Sequence, residues 1–132
     1  MPEITKKEMK TLLKAQQGEL DAVVMYRMLS RTVKDQDDAE TFKRLAAEEG
    51  HHASVFRKMT GVRLKPRKMK GFLLSAAYRI FGRNKLYLLI AKGEYSAEKT
   101  YAPVVKRFPN VESVQADEKR HGDTIMSLLD HA

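Results

Sequence analysis

The chain has 132 residues, a formal net charge of +8 and 32% charged residues, with neither cysteine nor tryptophan. That length suits a single domain, 1–132, with a real core, and the lack of thiols excludes disulfides, thiolate metal sites and a rubredoxin-type iron centre. The longest apolar stretch, residues 72–90, is broken by Arg79, Gly82, Arg83, Asn84 and Lys85, so no membrane span is expected; with no signal-like start either, a cytoplasmic location is expected.

Thr5-Lys6-Lys7-Glu8 has the form of a capping box and opens a helix predicted to reach about Val33. Asp35 to Asp38 make an acidic turn whose carboxylates favour the next helix start, and that helix is predicted over 37–59, ending at Thr60-Gly61. Pro66 interrupts the connector, and residues 69–81 form a short amphipathic helix closed by Gly82. A third long helix is predicted over 84–107. Phe108-Pro109-Asn110 makes the next turn, and Asn110 is expected to cap a last helix reaching about Asp130. Strand signals are essentially absent. Short turns make each pair, 5–59 and 84–130, antiparallel, whereas the crossover 60–83 is long enough to run back along a helix of roughly 33 Å. The expected class is all-α, a four-helix bundle of two up-down pairs joined by a long crossover.

The two halves repeat one pattern. Glu49 and His52 form a Glu-x-x-His pair, as do Glu118 and His121, and each is preceded by a Gly-Glu with a tyrosine seven residues on: Gly18-Glu19…Tyr26 and Gly93-Glu94…Tyr101. Residues three apart on a helix point the same way. All six fall on otherwise apolar stripes stepping by three and four, such as Phe42, Leu45, Glu49, His52, Phe56, Met59 and Val111, Val114, Glu118, His121, Ile125, Leu128. The first helix stripe reads Leu12, Gln16, Glu19, Val23, Tyr26, and the third Tyr87, Ala91, Glu94, Glu98, Tyr101. A buried, uncompensated carboxylate costs several kcal/mol. A charge of about −4 from four carboxylates is balanced by two divalent cations, and oxygen-rich ligation with one imidazole per metal suits iron or manganese. The competing reading is a bundle with fortuitously buried Glu and His, which needs the same accident twice. In the alternative register, Glu48 and His51 fall on a polar stripe, so His51 should face solvent; His131 belongs to the C-terminal tail.

Gly18-Glu19…Tyr26, Glu49-x-x-His52-Ala53-x-x-Phe56, Gly93-Glu94…Tyr101 and Asp117-Glu118-x-x-His121 together resemble the rubrerythrin branch of the ferritin-like di-iron superfamily, over nearly the whole chain. The likeness is greatest to the ferritin-like domain attached to some vacuolar-type iron transporters and membrane-bound ferritins; with no transporter domain following, a stand-alone version is expected. The resemblance implies a ferritin-like bundle holding two Fe (or Mn), with Glu49 and Glu118 bridging, Glu19 and Glu94 terminal, and His52 and His121 on one metal each. Tyr26 and Tyr101 would hydrogen-bond these carboxylates from behind. It further implies an oxidoreductase that reduces H2O2 or O2 as it oxidises Fe2+, a rubrerythrin-like peroxidase or ferroxidase, served by an external electron donor because the rubredoxin-like tail is missing. Rubrerythrins usually carry a carboxylate three residues after the third-helix Glu; Ala97 stands there, and Glu98 on the same seam is the candidate substitute, as a gate or transient ligand.

Two other functions fit the same ligands: an iron-binding or delivery module without turnover, and a membrane-associated hydroxylase resembling the demethoxyubiquinone hydroxylases, for which the apolar connector would form a substrate channel. Residues 51–92 hold eleven Lys and Arg and no Asp or Glu, so the rest of the chain is net acidic. Such a block, in particular 57–92, could touch anionic membrane or an acidic protein; the plainer reading is a solvated basic crossover. A nucleic-acid-binding cage is not expected, because the basic block is local and the chain is shorter than typical cage subunits. A homo-oligomer, most simply a dimer, is expected.

Overall fold

The computed structural model describes residues 3–130. Among them the chain is all-α, with α1 Lys6–Thr32, α2 Gln36–Thr60, α3 Met69–Phe81, α4 Arg83–Arg107 and α5 Glu112–Leu128, one 3-10 turn at Pro109–Val111, and no strand. This is the expected fold class. The chain forms two compact units, one ending at Ala76 and the other beginning at Ala77.

The first unit is the α1–α2 hairpin with the start of α3. The capping box forms as expected: Thr5 Oγ1 accepts from the Glu8 N–H at 3.1 Å, and the Glu8 carboxylate accepts from the Thr5 N–H at 3.0 Å. Asp35 caps α2 by accepting from the Asp38 N–H at 3.0 Å. The inward stripes bury Leu12, Met25, Tyr26 and Leu29 of α1 and Phe42, Leu45 and Phe56 of α2, each such side chain contributing about 1.5–3 kcal/mol. Tyr26 stacks on Phe42 with ring centroids 5.7 Å apart. Gly61, at φ +70°, ends α2 in the left-handed conformation that favours glycine.

The connector after α2 is laid along α1 by polar contacts. Thr60 donates to Gln16 Oε1 at 2.6 Å, and Gln16 Nε2 donates to the Val62 carbonyl at 2.7 Å. Gln17 Nε2 donates to the Lys65 carbonyl at 2.8 Å. Arg67 then grips Asp21 through its backbone N–H at 2.8 Å and its side-chain Nε at 2.9 Å. Burial works to raise the Asp21 pKa, but the hydrogen bonds from Arg67, and that from Gln17, outweigh it and hold the carboxyl below its ordinary range. α3 buries only Gly71 and Ser75. Gly71 is required for its seat: a Cβ there would lie 2.5 Å from Met28 Sδ and 3.3 Å from Met25 Cα.

The second unit is the α4–α5 hairpin with the end of α3. Leu86, Tyr87 and Ile90 of α4, Val111, and Val114 and Ile125 of α5 are buried. Arg83 lies over the Tyr87 ring, 5.0 Å from its centroid, and donates to the Leu128 carbonyl at the far end of α5. As expected, α4 continues through Pro103, which lacks the N–H that would bond Lys99; Pro103 is exposed, so water can serve that carbonyl. One local feature differs from expectation. Asn110 does not cap α5. It sits within the 3-10 turn, Val111 is the cap and makes no side-chain bond, and Glu112 donates to the Pro109 carbonyl, so the turn runs straight into the helix. His131 lies outside the described residues.

Candidate functional site

In the first unit α1 carries Glu19 on its buried face, and α2 carries Glu49 and His52 one turn apart; all three are at most 2% exposed. His52 turns Nδ1 inward, 3.0 Å from Glu49 Oε1 and 3.5 Å from Glu19 Oε2. In the second unit α4 supplies Glu94 and α5 supplies Glu118 and His121, again buried. His121 Nδ1 is 3.6 Å from Glu94 Oε2 and 3.6 Å from Glu118 Oε1. Each half thus makes a triad of two carboxylates and one imidazole, and within each the three ligating atoms lie within 4.8 Å of one another.

Two carboxylates and a neutral imidazole at these separations, with no thiol, make a hard, oxygen-rich donor set of the kind that suits ferrous or manganous ions. The cost of assembling it without a cation appears at Glu19. Burial, and secondarily the nearby Glu49 charge, push its pKa up to about 8 even though His52 pulls it down. A carboxyl in that state carries a proton at neutral pH, which a divalent cation displaces on binding.

The other candidates are placed as follows. Tyr26 and Tyr101 are both buried, the first with its ring against Phe42. Glu98 is half-buried, and its main-chain carbonyl accepts from Gln115 Nε2 at 3.2 Å. His51 is exposed, its ring 6.4 Å from that of His52. The glycines that made the repeat visible, Gly18 and Gly93, are exposed, and a Cβ on either would meet nothing within 4 Å. They are not needed for packing.

Gly122, by contrast, is needed for packing, and neither it nor its neighbours Tyr95 and Asp123 are marked by the repeat. A Cβ at Gly122 would lie 2.6 Å from Tyr95 Cε1, so its absence lets the Tyr95 ring lie against α5 beside His121. The Tyr95 hydroxyl donates to Asp123 at 2.6 Å, Lys119 Nζ donates to the same carboxylate at 2.9 Å, and the bond to Asp123 pushes the phenol pKa up to about 12. The signal in the sequence is a Tyr following Glu94 and a Gly following His121, each one residue off the buried stripe.

The chain is therefore an all-α protein carrying a Glu/Glu/His triad, fit for a divalent metal, in each half. A family model for rubrerythrin matches residues 10–129, and the chain belongs to the rubrerythrin family. No curated protein and no solved structure matched it.

Proposed function

We propose that this chain is a non-haem di-iron protein that reduces H2O2 or O2 as it oxidises Fe2+. The observation that carries the reading is the convergence, in each half, of one histidine Nδ1 and two carboxylate oxygens within 4.8 Å in the protein interior. Glu19, Glu49 and His52 would hold one iron, and Glu94, Glu118 and His121 the other. A bound ferrous pair supplies two electrons, which with two protons convert H2O2 to two waters.

The protein contributes a dry, anionic interior and proton management. His52 and His121 offer Nδ1 as neutral ligands. Glu19, protonated near neutral pH in the metal-free site, gives up its proton when metal enters. Glu98, on the same helix as Glu94, is the proposed movable carboxylate. The reductant that returns the iron to the ferrous state is an external donor, and the cysteine-free composition fits the reducing cytoplasm.

Anaerobic Fe2+ titration should saturate at about two ions per chain, the stoichiometry of such bundles. Rapid mixing of the ferrous protein with H2O2 and with O2 then decides whether it turns over and with which oxidant. Two bound ions that react with neither would leave an iron-binding module without turnover. Failure to bind two ions would sink the proposal altogether.

A further inference from the structure

We propose that α3 is a membrane-surface helix that seats the protein on anionic lipid. Its sole buried positions, Gly71 and Ser75, are four residues apart on one face. The opposite face carries Met69, Phe72, Leu73 and Ile80, which together with Phe81 are 57–71% exposed. At 100° per residue these four make a continuous apolar stripe, with Lys70 on one edge and Arg79 on the other. Long cationic side chains bordering an apolar stripe can lay their stems along hydrocarbon while the charged heads stay among lipid headgroups. At 13 residues, about 20 Å, the helix can lie in a membrane surface. Among the described residues no helix is long and apolar enough to cross one.

Charge selects the occupant. Residues 51–92 contain no carboxylate to balance their eleven Lys and Arg. Arg67 is gripped by Asp21 from outside the block. A second copy of the chain meeting α3 face to face would bring the same carboxylate-free basic block against itself, which like-charge repulsion opposes. An anionic bilayer supplies both things the face lacks, an apolar layer and negative charge. An acidic protein supplies the charge, but would have to match the apolar stripe as well.

The test is co-sedimentation of the full chain with vesicles of phosphatidylcholine, with and without phosphatidylglycerol, at low and high salt. We expect pelleting with the anionic vesicles, roughly tenfold weaker at high salt or without phosphatidylglycerol. Two variants report separately on the stripe and its edges: Phe72→Glu/Ile80→Glu, and Lys70→Gln/Arg79→Gln. All four positions are exposed, so helical circular dichroism should match the parent, and both variants should lose most vesicle binding. The second retains every apolar side chain and keeps the test valid should the first fold poorly. No pelleting of the parent with anionic vesicles, or pelleting unchanged in both variants, overturns the proposal. So does a dimer in solution that Phe72→Glu/Ile80→Glu dissociates while the parent ignores vesicles, since that assigns the face to a second copy.

Discussion

His52 Nδ1 stands 3.0 Å from Glu49 Oε1 across one turn of α2, with both side chains sealed from solvent. Without a cation, this pair sits beside a second buried carboxylate, Glu19, so stability and metal affinity should respond in opposite directions when a charge is removed. For Glu49→Gln we expect an apo protein at least as stable as the parent, together with loss of Fe2+ binding. The parent should gain ~2.7 kcal/mol at a hundredfold excess of metal over Kd, roughly 10 °C in Tm. Melting curves with and without Fe2+ or Mn2+ should therefore cross between parent and variant; equal melting of the parent in both conditions would count against the site.

The apo protein should have its stability optimum in mild acid. The folded-state pKa of Glu19 is raised from 4.5 to about 8, so the native state holds more protons than the unfolded chain between those values, and stability falls as pH rises across that window. Asp21 has the opposite sign. Its folded pKa is depressed below 3.8, so its contribution is complete above that value and is lost as pH falls through the folded pKa. Tm measured against pH in chelator should show both limbs, with Glu19→Gln flattening the alkaline one and Asp21→Asn the acid one.

Because the Glu19 proton must leave for a cation to enter, apparent Fe2+ or Mn2+ affinity should rise with pH up to about 8 and then level. Isothermal titration in two buffers of different ionisation enthalpy reads the proton count directly. A pH-independent affinity between 5 and 8 would show that Glu19 does not ligate.

Three glycines should respond to alanine in two ways. Gly18→Ala and Gly93→Ala add a methyl in open space within helices and should stabilise by about 0.5–1 kcal/mol each. Gly122→Ala drives a Cβ into the Tyr95 ring and should destabilise by roughly 1–3 kcal/mol. It should also weaken the bond to Asp123, so that the phenol pKa falls from about 12 toward 10. Denaturant melts and spectrophotometric tyrosine titration test each half of this.

Much of this was legible in the sequence because helices write their buried face at fixed spacing. Glu49 and His52, or Glu118 and His121, betray themselves by being polar where Phe56 and Ile125 show the position to be inside. Caps were equally readable at Thr5 and Gly61, where one side chain or one left-handed residue decides the geometry. The contacts that escaped notice depend on pairing between distant segments. Nothing local to Arg67 announces Asp21, nothing about Gly122 announces Tyr95, and the 3-10 turn that displaced Asn110 is set by backbone bonding around Pro109. The repeated Gly18 and Gly93 marked the duplication truly while contributing nothing to packing.

The seat of α3 on α1 is built around the sulfur of Met28, pressed into the space that Gly71 leaves open. Thioethers oxidise to sulfoxides, and this chain has no thiol to be consumed ahead of them. An oxygen added at that sulfur would have to occupy the gap reserved for a missing side chain, prising the short helix from its support. Excess oxidant would then leave its scar at the joint that positions α3, and a sulfoxide reductase would be the means of resetting it.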